Sequence, residues 1–187
     1  MQISVGRRRL LGGAGTTLIA ITVTGATRTL TPAEALAADA PIHRLTGAER
    51  SCLDTMGEIM LPGSPAAGLA HYVDDQLGRA SADSLLFARY LDLDIPLPVF
   101  YSQGFAAVDG LAVGIGGKPL AELPREDATT LIRSMIDGGI KGWSPAAAAL
   151  FYTAVRNDAI DVVYGGPHGM ELLGIPVMQH APAPSAW

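Results

Sequence analysis

The sequence predicts an all-α fold: a compact single-domain helical bundle that ends in an extended Pro/Gly-rich C-terminal arm. Two observations carry this. Apolar residues recur at three- and four-residue spacing in successive segments, and each segment is bounded by a cap, a proline or a glycine. Strand-like alternation is weak throughout, and no internal repeat is present.

The first segment of the bundle is "LTGAERSCLDTMGEIMLPG". Thr46 followed by Glu49 makes a capping box, Leu45, Cys52, Leu53, Met56, Ile59 and Met60 make the buried stripe, and Pro62-Gly63 stops it. A second helix is expected from Ala66 to Leu77, with Leu69, Tyr72, Val73 and Leu77 inside, Asp74 and Asp75 outside, and Gly78 at its end. A third covers Asp83 to Leu91 and breaks before "DIPLP", where Pro96 and Pro98 force extended backbone. Phe100, Tyr101, Phe105, Val108 and Leu111 place a fourth over Val99 to Val113, followed by a turn at "GIGGKP". Pro124 at the first helical position, with Glu126 and Asp127 in the first turn, opens a fifth that runs to Ile136 and closes at Gly138-Gly139. Ser144-Pro145 opens the sixth, Ala146 to Val163, whose broad apolar face (Leu150, Phe151, Ala154, Val155, Ala159, Val162, Val163) suits the centre of a bundle.

Beyond Gly165 the character changes. In "YGGPHGMELLGIPVMQHAPAPSAW" the prolines at 176, 182 and 184 forbid a continuous helix, so residues 165–187 read as an extended arm. The arm is unusually apolar for a terminus, and it either wraps its own bundle or covers a second protein. Tyr164, Gly165, Gly166, Pro167, Ile175, Pro176 and Trp187 are the candidate partner interface.

The N-terminus has a different grammar. Arg7, Arg8 and Arg9 lead into Leu10 to Thr24, an apolar stretch diluted by glycine and threonine, and Ala35-Leu36-Ala37 offers a small-x-small cleavage site at Ala35 and Ala37. Residues 1–37 thus look like a twin-arginine export signal, with Arg7 and Arg8 as its core; an uncleaved basic anchor is the alternative. Cleavage leaves residues 38–187, about 150 residues and one ordinary domain. Thirteen basic against eighteen acidic residues give a net charge of −5, and the acidic excess grows when the signal's arginines leave. Such a surface disfavours nucleic acid and anionic lipid and fits a soluble periplasmic protein.

Catalytic, cofactor-binding and metal-ligating residues are all expected to be none. The glycines of "GIGGKP" and "GGPHG" lack the spacing and the preceding strand of a nucleotide loop. His43, His71, His168 and His180 are scattered, and no haem-attachment motif occurs. Cys52 stands alone and reads as a small buried hydrophobe. Asp158 and Asp161 share a helix face, most simply as a solvated rim. A stand-alone hydrolase using Asp158 or His71, or a small-ligand binding protein with the arm as lid, is the competing functional class.

Four stretches together carry a family likeness: the signal at Arg7-Arg8, "MLPGSPAAGLAHYVDDQL", "FYTAVRNDAIDVVYGGPHG" and "LGIPVMQHAPAPSAW". In their order and spacing the chain resembles the small subunit, subunit 3, of gluconate 2-dehydrogenase-type enzymes. Pro167 is a departure, since members commonly carry Asn after the Tyr-Gly-Gly unit, and it leaves the sugar open. The resemblance implies a non-catalytic subunit that accompanies a flavoprotein of the glucose-methanol-choline type through maturation and export. FAD and substrate would belong to that partner, a haem-bearing cytochrome c subunit often accepts the electrons, and the twin-arginine translocase would carry the complex to the periplasm.

Overall fold

The computed structural model describes residues 19–23 and 26–175. It is a helical bundle, as the periodicity predicts, preceded by a short antiparallel hairpin, β1 (Ile19–Val23) and β2 (Ala26–Leu30). The hairpin is a departure, because this stretch reads as the apolar part of an export signal with no strand. β-Branched residues dominate it (Ile19, Ile21, Thr22, Val23, Thr27, Thr29), and that composition favours extended backbone once two such runs face each other.

Helix α1 (Pro32–Ala37) follows directly, capped by Thr31 and Glu34 in a reciprocal box. α2 (Gly47–Met60) begins at the expected box, with the Thr46 N–H donating to Glu49 Oε2 at 2.8 Å and the Glu49 N–H to Thr46 Oγ1 at 3.2 Å. α3 (Leu69–Leu77) starts three residues later than the pattern suggests and ends at Gly78. Asp74, expected outside, is buried: its carboxylate accepts the backbone N–H groups of His43, Arg44 and Leu45 and ties the chain before α2 to α3.

The expected helix over Asp83 to Leu91 shrinks to a 3₁₀ turn, Phe87–Tyr90. The reason is competition for hydrogen bonds. The Leu85 N–H donates to Gln76 Oε1 at 2.7 Å and the Phe87 N–H to Asp158 Oδ1 at 2.8 Å, so side chains take donors that an α-helix would need. α4 (Leu97–Gly116) is longer than predicted, and Gly117 in the left-handed conformation ends it. A second 3₁₀ turn (Leu120–Glu122) leads to α5 (Arg125–Asp137), with Pro124 as its cap and Gly138 at its end.

α6 (Pro145–Tyr164) occupies the centre, packing against α2, α3, α4, α5 and the first 3₁₀ turn. Its Phe151 ring meets Phe105 at 5.3 Å and Tyr101 at 6.1 Å, both edge to face, and Trp143 at 5.9 Å. Gly104 makes this possible, because any side chain there would collide with the Phe151 ring. Cys52 lies in the same core; burial, reinforced by the Asp109 carboxylate, pushes its thiol far above the usual range, so it serves as packing. The arm is not extended at its start: α7 (Pro167–Leu172) is a short helix packed against α6, because proline at a first helical turn removes no needed donor.

Candidate functional site

The C-terminal half of α6 organises two surface features. Positions 151, 154, 155, 158, 159 and 162 form one helical stripe, and Asp158 falls within it rather than on a solvated rim. It is fully buried. Its Oδ2 accepts a hydrogen bond from the Tyr101 hydroxyl, and its Oδ1 accepts the Phe87 N–H. Burial pushes the Asp158 carboxyl up to about 7, although both hydrogen bonds favour the charged form. Burial beside that carboxylate also holds the Tyr101 phenol well above its ordinary range, so Tyr101 remains a donor.

This latch fixes the irregular segment between α3 and α4. Gln76, also fully buried, accepts from Leu85 N–H and donates to Asp75 at 3.0 Å, while the Tyr72 hydroxyl donates to the Leu85 carbonyl at 3.1 Å. Held this way, the segment keeps large apolar groups outside: Leu85, Ile95 and above all Tyr90, which is 70% exposed. The Arg89 guanidinium lies over the Tyr90 ring at 5.5 Å and donates to the Ser84 carbonyl. Asp83, Asp92 and Asp94 are exposed in the same segment, so its rim is acidic.

The second feature is the corner joining α6 to α7. The Gly165 N–H caps the Asp161 carbonyl at 2.9 Å, and Gly169 lies so close to the backbone of Val163 and Tyr164 that no Cβ fits. This close approach directs the chain into an exposed apolar run, Leu172, Leu173 and Ile175, at 62%, 54% and 51% exposure. Of the predicted interface, Tyr164, Gly165 and Gly166 are half-buried in the corner, Pro167 begins α7, and Ile175 is exposed. Pro176 and Trp187 lie outside the described residues, as do Arg7 and Arg8. Ala35 is buried and Ala37 exposed, both within α1.

Sequence reasoning missed Tyr90, Leu85 and the latch beneath them. The stripe position of Asp158 was the available signal, since a carboxylate there must find partners once the helix is central.

Among the described residues, the two side chains that the competing enzymatic reading would use are both held in structural hydrogen bonds. Asp158 has both oxygens engaged with Tyr101 and Phe87, and His71 Nε2 bonds the Ala40 carbonyl at 3.0 Å. In the two glycine stretches the amides of Gly117 and Gly165 are bonded to the carbonyls of Val113 and Asp161, inside their own helix ends. Among the described residues, no group of three or more His, Cys, Asp or Glu is placed to hold a metal ion, and no helix is long and apolar enough to cross a membrane.

The family model described as Gluconate 2-dehydrogenase subunit 3 matches residues 47–175, more than half of the chain. The chain therefore belongs to that family and is a small subunit of a dehydrogenase complex, which implies a catalytic partner. The matched span opens with α2 and closes just beyond the exposed corner. No curated protein and no solved structure matches the chain.

Proposed function

We propose that this member of the gluconate 2-dehydrogenase subunit 3 family is the non-catalytic small subunit of a periplasmic, FAD-dependent sugar or sugar-acid dehydrogenase. It binds the flavoprotein catalytic subunit, supports its maturation and accompanies it through the twin-arginine translocase. The observation that carries this reading is that two segments packed against α6 leave large apolar groups exposed: Leu85 and Tyr90 around the first 3₁₀ turn, and Leu172, Leu173 and Ile175 in and after α7. Aromatic and aliphatic side chains held without entropy loss are what a partner surface needs. The acidic rim of Asp83, Asp92 and Asp94 favours a partner face bearing lysine or arginine around an apolar socket.

In this reading FAD and the oxidation chemistry reside on the glucose-methanol-choline-type partner, and a cytochrome c subunit with haem takes the electrons onward. The twin-arginine route suits cargo that folds around a cofactor before crossing, and Arg7 and Arg8 serve both polypeptides. Co-expression with the catalytic subunit tests the assignment. A stable yellow complex and a colourless lone chain are expected; flavin or dehydrogenase activity in the lone chain would refute it. Replacing Arg7 and Arg8 together with lysine should leave the catalytic activity in the cytoplasm, and unchanged periplasmic activity would remove the shared-signal part.

A further inference from the structure

The small-x-small site at Ala35-Leu36-Ala37 stands in the final turn of α1, docked on the bundle. Peptidases bind their substrates as extended strands, so a helical site has to unwind before it is cut. Several separate contacts oppose that unwinding. Thr31 and Glu34 cap the helix reciprocally, with 2.8 Å from Thr31 N–H to Glu34 Oε2. Ala35 is fully buried in a small apolar cluster with Ile19 and Ala40, against which Leu30 packs. The Pro32 carbonyl fills the space that a side chain at Gly68 would take, and Gly68 caps α3 with a φ of 90° that favours glycine.

His71 adds a further contact. Its ring is 5% exposed, and its Nε2 bonds the Ala40 carbonyl at 3.0 Å, so Nε2 carries the proton. Among the described residues Nδ1 is buried with no hydrogen-bond partner, and the Ala40 carbonyl anchors the ring. Immediately beyond, Asp74 holds the N–H groups of His43, Arg44 and Leu45. The chain on the far side of the scissile bond is therefore fixed as well.

We infer that the folded bundle masks its own processing site: the segment Pro32–Ala40 has to leave the end of α3 before the Ala37–Ala38 bond can be hydrolysed. Processing then reports that the segment has been withdrawn, and it frees the α3 surface around Gly68 and His71. The identity of the protease rests on the export reading above; the masking rests on the docking alone.

The test exposes the folded full-length chain, and a synthetic peptide of residues 26–44, to a bacterial signal peptidase and separately to elastase, which cuts after small residues. Mass spectrometry reads cleavage at Ala37–Ala38. The peptide should be cut at least about ten-fold faster than the folded chain, and Thr31→Ala or His71→Ala should each quicken cutting of the chain about five-fold. Equal rates for chain and peptide with elastase would overturn the masking. If signal peptidase spares both while elastase shows the difference, the export reading of this site fails and the masking stands. Hydrogen exchange in the unmutated chain gives a measurement independent of any variant's folding. The Ala35 and Ala40 amides, bonded to the carbonyls of Thr31 and Ala35, should exchange far more slowly than in the peptide, and peptide-like exchange would also overturn it.

Discussion

The two halves of α6 hold their neighbours by different physics. The N-terminal half presents Ala148, Phe151, Ala154 and Val155 to an aromatic cluster, where dispersion and apolar burial provide the attachment. The C-terminal half buries a carboxylate, whose desolvation opposes folding, and uses it to position one 3₁₀ turn. Packing tolerates many shapes, whereas two directed hydrogen bonds tolerate one. The first half therefore makes the bundle stable and the second gives an exposed segment a definite form. Geometry of that kind is needed where another molecule must fit.

The sharpest way to break the comparison is at the packed end. Phe151→Ala removes a ring with aromatic contacts on several sides and should cost about 3–5 kcal/mol, measured by denaturant unfolding. A loss under about 1 kcal/mol would mean that this half is not held by its core.

At the other end, Asp158→Ala orphans the Phe87 N–H and the Tyr101 hydroxyl and should cost roughly 1–3 kcal/mol. Asp158→Asn tests the electrostatics. Burial pushes the folded carboxyl up to about 7, above its unfolded value, so between the two the native chain holds the extra proton. The stability this group contributes is fully present below about pH 4 and is lost as pH rises through about 7. Thermal unfolding between those limits should show this slope in the native protein and a flatter profile in Asp158→Asn. Identical profiles would mean that the carboxyl is not desolvated.

Smaller effects on the isolated chain are expected at the corner. Gly169→Ala sets a methyl against the backbone of Val163 and Tyr164, which cannot yield as a side chain can. It should displace α7 and weaken the partner complex at least about ten-fold, while unfolding of the bundle shifts by no more than about 1 kcal/mol. Replacing Leu172, Leu173 and Ile175 with serine should leave stability within about 0.5 kcal/mol and still reduce co-purification of the catalytic subunit. Unchanged co-purification would direct attention to Leu85 and Tyr90 as the contact.

Much of the fold was legible because its signals are local. The Thr46–Glu49 box, the proline starts at Pro124 and Pro145, and the glycine ends at Gly78 and Gly138 each act within one helical turn. The segment from Asp83 to Leu91 was misread for the complementary reason. Its helical spacing is real, but the groups that unwind it belong to Gln76 and to Asp158, 71 residues from Phe87. The candidate surface divides in the same way: the corner shows in the glycines and prolines after Tyr164, whereas Tyr90 resembles any residue of an amphipathic helix until its neighbours are in place.

By itself the sequence determined the helical class, most helix boundaries, the central position of α6 and membership of a family of dehydrogenase small subunits. Periodicity, caps and motif order are properties of neighbouring residues along the chain. Tertiary structure alone decided that Asp158 and Asp74 are buried anchors, that α1 docks on α3, and which apolar groups stay outside. A carboxylate's role depends on which donors reach it and how much water is excluded, and distant segments supply both only when the bundle closes.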